Sequence, residues 1–294
     1  MKARLIEFAL RALSFLSVPA HRRIGSWAGR RMYRKGGRSY QVTIRNIQAC
    51  FPQKSSEDQE SFALKSLIAT ATMAIETQAI WFRGEKLRSK IVVGVENKDL
   101  FDEALATGKG VILLVPHFGN WELAGFWAAN FRSITAMYRI PRIASLEGLV
   151  RRLRDNKGQN KTVPATPRGV LAVAKALKQG GMTLILPDQQ PDLSGGVFSP
   201  FFGQQALTIT LVSRLIAKTD PVVLVAYARR VETGHVVGFL EPEKEIYSED
   251  QQVSVDAMNR SIEKLVATAP EQYQWEYKRF RKQPEDASEF YSRS

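Results

Sequence analysis

The chain has 294 residues, 44% of them hydrophobic, which is enough to bury one large core and excludes intrinsic disorder. Its single cysteine, Cys50, excludes an internal disulfide framework and fits a reducing compartment. Against 29 Asp and Glu stand 42 Lys and Arg, a net charge of +13, which attracts phosphates, acidic proteins and anionic membranes but does not bear on the fold.

Residues 5–18 are mostly apolar, and Arg4, Glu7, Arg11 and Ser14 follow one another at helical steps, forming one polar stripe. The run is shorter than the ~20 apolar residues of a spanning helix, and it carries charges. Pro19 is expected to end it, and no small-residue cleavage site follows. Arg22, Arg23, Arg30, Arg31, Arg34 and Lys35 come next, with Trp27 and Tyr33 among them. Basic and aromatic residues suit the headgroup layer, so segment 1–35 is expected to associate with a membrane surface. An amphipathic helix packed on the body of the protein would have the same pattern. No linker divides the remainder, so 36–294 is expected to be one domain.

A helix is expected from Ser56, with Gln59 completing a capping box, to about Trp81, burying Phe62, Leu64, Leu67, Ile68, Ala71 and Ile75. Beyond residue 90 the pattern alternates. Strands are expected at 91–95, 111–115, 134–138, 183–186, 222–227 and 235–240. Helices are expected at 99–107, 121–130, 145–155, 169–179, 207–218 and 253–268. Apolar strands alternating with helices predict an α/β fold, its central, mostly parallel sheet flanked by helices.

The segment Val115-Pro116-His117-Phe118-Gly119-Asn120-Trp121-Glu122 carries the sharpest signal. A buried strand ends there, and a histidine stands at the turn into a helix, where open α/β sheets gather their catalytic groups. If Glu122 lies in the first helical turns, the imidazole can fold back onto its carboxylate. The carboxylate would then fix the tautomer and leave the other nitrogen free as a general base. A structural histidine at the helix start fits the same spacing. Neither His21 nor His235 has a carboxylate at comparable spacing.

The sequence His117-x4-Glu122 within HFGNWE resembles the H-x4-D/E signature of glycerolipid acyltransferases, and more closely the bacterial lipid A biosynthesis lauroyl/myristoyl acyltransferases. Further segments are similar to that family: Arg45-Asn46-Ile47 leading to Cys50-Phe51-Pro52, Gly108-Lys109-Gly110, Tyr138-Arg139, Arg168-Gly169, Pro187-Asp188-Gln189-Gln190, Pro200-Phe201-Phe202-Gly203 and Gln272-Tyr273-Gln274-Trp275. The resemblance covers roughly residues 5–282. It implies an enzyme at the cytoplasmic face of the cell inner membrane. Such an enzyme moves a fatty acyl chain from acyl carrier protein to a hydroxyl of a lipid A precursor, with no metal or redox cofactor. The apolar N-terminal segment departs from the family in being shorter and more charged than a single span.

For that reaction His117 would be the base and Glu122 its orienting carboxylate. Arg139, Asn120 and backbone N–H groups near Gly119 are candidates for the oxyanion. Arg168, before a predicted helix, is a candidate for binding a phosphate or the oxyanion, and Asp188, at the end of a predicted strand, for orienting an arginine or the sugar headgroup. A rim network of salt bridges would use the same three charged residues. No G-x-S-x-G elbow is present, so direct transfer is expected rather than a serine acyl-enzyme. The protein is expected to be a monomer. Acylation of a lysophospholipid or glycolipid is an alternative. A nucleic-acid binder is another, although no recognition module accompanies the basic charge. A non-catalytic membrane scaffold would not need His117 and Glu122 together.

Overall fold

Short apolar strands can bury both faces only when helices cover both sides of a sheet, and such a sheet lies at the centre of this fold. The computed structural model describes residues 2–138, 147–155, 160–284 and 289–291. The first third is helical: α1 (Lys2–Ser14), α2 (Val18–Lys35), α3 (Arg38–Cys50), α4 (Ser56–Phe82) and α5 (Glu85–Ile91). Strands then alternate with helices: β1 (Val92–Glu96), α6 (Lys98–Ala106), β2 (Val111–Leu114), α7 (Trp121–Ala128), β3 (Thr135–Tyr138), α8 (Glu147–Arg154), β4 (Lys161–Pro164), α9 (Pro167–Lys178) and β5 (Met182–Ile185). A hairpin of β6 (Gly196–Phe201) and β7 (Gln204–Ile209) follows, then α10 (Leu211–Thr219), β8 (Val222–Arg230), β9 (His235–Leu240) and α11 (Gln251–Ala267).

The main sheet runs in the order β1-β9-β8-β2-β5. β2 is parallel to both its neighbours, and only β8 and β9 pair antiparallel. All four residues of β2 are fully buried. Ile112 and Leu114 join the core under α9, α10 and α11, whereas Val111 and Leu113 join the core under α6 and α7. β3 and β4 form a small parallel sheet whose foot meets β5, with Ile134 bridged to Met182 and Thr183 Oγ1 donating to Thr135 O at 2.7 Å.

Several boundaries differ from expectation. The first helix stops at Ser14. Pro19 instead lies in the first turn of α2, where a missing N–H costs no hydrogen bond, and Ser17 caps that helix. The cap of α4 is Ser55, whose hydroxyl accepts from Asp58 N, and Gln59 donates to Phe51 O. Residues 207–209, expected to open a helix, are strand: they pair with 196–198, Leu207 is buried and Ile209 packs against the core. The strand-length runs 161–164 and 196–201 and helices α3 and α5 lay outside the expected elements.

The N-terminal helices are fastened to this body. A Cβ at Gly25 or at Gly29 would lie 2.4 Å from the Cα of Thr72 or of Ile68, so α2 meets α4 backbone to backbone. Below that contact Glu76 is buried between two guanidinium groups, with Arg22 Nε at 3.2 Å and Arg230 Nε at 2.8 Å. Arg22 also donates to the carbonyls of Glu232 and Gly234. α1 turns Ser14 inward, while Phe8 and Phe15, seven residues apart, are 72% and 71% exposed. Trp27 on α2 is exposed as well, with Arg31 above its ring. No helix among the described residues is long and apolar enough to cross a membrane.

Candidate active site

β2 ends at the central position of the sheet, and the chain turns at once. Pro116 supplies no N–H. Phe118 N donates back to Pro116 O at 2.7 Å, and Gly119 takes φ 56°. A Cβ at Gly119 would lie 2.2 Å from Ala228 O, so only glycine fits there. Gly119 N donates to Gln272 O and Asn120 N to Ala228 O, and His117 O accepts from Gln274 N. The turn is therefore clamped by backbone hydrogen bonds between the end of β8 and residues 272–274, and the His117 side chain has little freedom.

Its imidazole meets Asp188. Nδ1 lies 2.8 Å from Asp188 Oδ1, and the other carboxylate oxygen accepts from the His117 backbone N–H, also at 2.8 Å. Both oxygens of one fully buried carboxylate thus hold one residue. Burial alone would push the Asp188 carboxyl up; the charge and hydrogen bonds of His117, with Arg279 behind, outweigh it and hold it below the ordinary carboxylate value. A carboxylate at Nδ1 requires the proton there and leaves Nε2 with its lone pair. The Gln189 side-chain amide sits 3.1 Å from Nε2, and the Trp121 ring packs beside the imidazole at 4.7 Å.

Glu122 does not hydrogen-bond His117. It lies in the first turn of α7 and accepts from Arg154 of α8, with Nε at 3.1 Å from Oε1 and NH2 closer still. The helix directs residue 122 away from the sheet axis, whereas Asp188 stands beyond the end of β5, the strand adjacent to β2. The carboxylate that meets the imidazole is therefore Asp188 and not Glu122, and it is buried, not at a rim.

The other expected site residues are scattered. Asn120 is buried and caps α7 through Oδ1, and its Nδ2 has no partner among the described residues. Arg168 is exposed in the first turn of α9, and Arg139 lies outside the described residues. Arg154, Gln189 and Trp121 were not singled out from sequence. Gln189 follows Asp188 directly, and Trp121 is four residues past His117, so both could have been found from their neighbours.

His117 and Gln189 open on a cavity of about 1030 Å³ whose walls are largely apolar, among them Phe126, Ile134, Leu184, Ile185 and Leu211. Glu122 and Arg154 line the same cavity. A buried histidine–carboxylate pair thus stands at a strand end and faces a large, mostly apolar cavity, an arrangement typical of an α/β enzyme.

The chain belongs to the bacterial lipid A biosynthesis acyltransferase family, whose signature spans residues 3–282. It is accordingly an acyltransferase. Among its relatives, the lipid A biosynthesis palmitoleoyltransferase of Escherichia coli (strain K12) is 29% identical over 257 residues, 85% of this chain and 81% of that protein. The lauroyltransferase of the same organism is 26% identical over 277 residues, 92% of this chain and 88% of its own. The myristoyltransferase is 25% identical over 264 residues, 87% and 78%.

Proposed function

We propose that this protein transfers a fatty acyl chain from acyl carrier protein to a hydroxyl of a lipid A precursor, at the cytoplasmic face of the inner membrane. The observation that carries the mechanism is the His117–Asp188 pair at the mouth of the apolar cavity. His117 Nε2 takes the proton of the acceptor hydroxyl as its oxygen attacks the thioester carbonyl. Asp188 stabilises the imidazolium that results. When the tetrahedral intermediate collapses, the C–S bond breaks and the imidazolium returns the proton to the departing thiolate. General-base assistance of this kind is worth about 10²–10⁴-fold.

The oxyanion would be met by the N–H groups of Trp121 and Glu122, the first of α7, and by the spare Nδ2 of Asn120. The Glu122–Arg154 pair forms part of the cavity wall, where each group would neutralise the other and fix the wall's shape. Membrane contact is supported by Phe8, Phe15 and Trp27, all exposed, with Arg23, Arg30, Arg31 and Arg34 exposed nearby. The net charge of +13 suits an acidic carrier, an anionic acceptor and an anionic leaflet alike. The relatives are named for three different acyl chains, so chain identity varies within the family.

The direct test is transfer from labelled acyl carrier protein to a lipid A precursor in detergent, by wild type and His117→Ala. Labelled product from wild type and a loss of about 10²-fold or more in the variant is expected. Normal activity in His117→Ala would remove the histidine from the mechanism, and transfer to a lysophospholipid alone would change the acceptor. A second test addresses the cavity wall. Glu122→Ala and Arg154→Ala should lower activity by similar factors, and the double variant should be no worse than either. Their coupling is expected to be on the order of 1–3 kcal/mol in a double-mutant cycle.

A further inference from the structure

A cavity that touches both faces of a strand must pass around the strand's edge or end. Leu184 and Ile185 are consecutive residues of β5, so their side chains point to opposite faces, yet both line the large cavity. Ala136 and Met137 do the same on β3. β3 and β5 touch at their feet, through Ile134 and Met182, so the passage lies toward their carboxyl ends, on the side of His117 and Gln189. From there one arm runs beneath α7 and the other between α9 and α10.

The two arms differ in chemistry. Between α9 and α10 the apolar residues Val170, Leu171 and Leu211 are joined by Arg214 and Lys218, exposed cations with no acidic partner among the described residues. Hydrocarbon laid against them would desolvate unpaired charge. The arm beneath α7 presents none. Its inner wall is Gly125, Phe126, Ile134, Ala136 and Leu184, and its charged residues Glu122 and Arg154 are paired with each other. Asn160, also on this wall, is occupied with Ile134 N and Arg154 O. From Tyr138 to Ile134, just before β3, the arm follows the strand over four residue steps, about 13 Å. Where α7 crosses it the residue is Gly125, and a Cβ there would lie 2.9 Å from Leu184 Cδ1.

We infer that the arm beneath α7 holds the acyl chain being transferred, and that the Gly125–Leu184 contact limits its length. The inference rests on the acyl-transfer reading above. Any side chain at residue 125 must push the flexible end of Leu184 into the trough or occupy the trough itself. A side chain removed at residue 184 deepens it.

The test offers decanoyl-, lauroyl-, myristoyl- and palmitoyl-loaded carrier proteins in competition, with the product chains counted by mass spectrometry. Gly125→Ala should move the distribution to shorter chains and Leu184→Ala to longer ones. The expected discrimination is about tenfold or more for each methylene that no longer fits. Because the atom displaced by Gly125→Ala is the tip of a leucine, the variant should fold, and thermal melting checks this. Val170→Phe, which fills the other arm, should leave the distribution where it was. An unchanged distribution in active Gly125→Ala and Leu184→Ala overturns the inference and leaves acyl transfer intact. Shortening by Val170→Phe in place of Gly125→Ala overturns it too, since the arms would then be reversed. Absence of transfer from any donor by wild type overturns the acyl-transfer reading, and the inference with it.

Discussion

Asp188→Asn should lower turnover by about 10²–10⁴-fold while leaving the KM for the lipid acceptor near its wild-type value. The carboxylate now accepts from two donors of one residue, the ring Nδ1–H and the backbone N–H of His117. An amide of the same size has one accepting oxygen. If that oxygen keeps the backbone bond, the amide N–H₂ faces Nδ1 and favours the tautomer with its proton on Nε2. The nitrogen that should take the hydroxyl proton is then already protonated. Asp188 is buried and does not line the cavity, so substrate binding has no direct reason to change. Steady-state kinetics with circular dichroism as a folding control would decide. Wild-type kcat in the variant would return the orienting role to another group.

Glu76→Gln should be the most destabilising single substitution outside the apolar core, by roughly 3–5 kcal/mol. It leaves Arg22 and Arg230 facing a neutral amide in a buried site. With an unfolding entropy of about 2.1 cal/mol/K per residue, that loss corresponds to a Tm lower by roughly 5–8 °C. The pH dependence follows from the same cluster. Burial alone would raise the Glu76 carboxyl; His235, with Nε2 at 3.3 Å, and Arg230 outweigh it and hold it at about 2. A depressed folded value means stability that is fully present above the ordinary glutamate value of about 4.3 and is lost as pH falls toward 2. Melting curves at neutral pH and near pH 3 should show wild type losing about half of this increment and Glu76→Gln having little of it to lose.

The alternating βα pattern after residue 90 was legible because each buried strand is a short apolar run between turn residues, as in 111–115 and 222–227. The position of His117 followed from the same run, since a strand end is a local property. Its partner did not follow. Residues 117 and 188 are brought together by β5 lying next to β2, and strand order is written in no local pattern. Glu122 stood close in sequence, and proximity along the chain was a poor guide once α7 had begun. The segment 207–209 could be read either way. Its apolar residues continue into the helix at 211, and only the antiparallel partner at 196–198 makes it strand. β4 has a single buried residue, Val163, too little for a periodic signal.

The backbone contact of α2 with α4, made possible by Gly25 and Gly29, has a mechanical outcome. With Arg22 bound to Glu76 and to the β8–β9 turn, α2 behaves as a leg and not as a tether. Under the membrane contact proposed for Phe8, Phe15 and Trp27, the elevation and tilt of the cavity mouth would be set largely by how these helices cross α4. A bulkier residue at Gly29 would alter the stance of the whole body, and with it the angle at which a substrate must arrive.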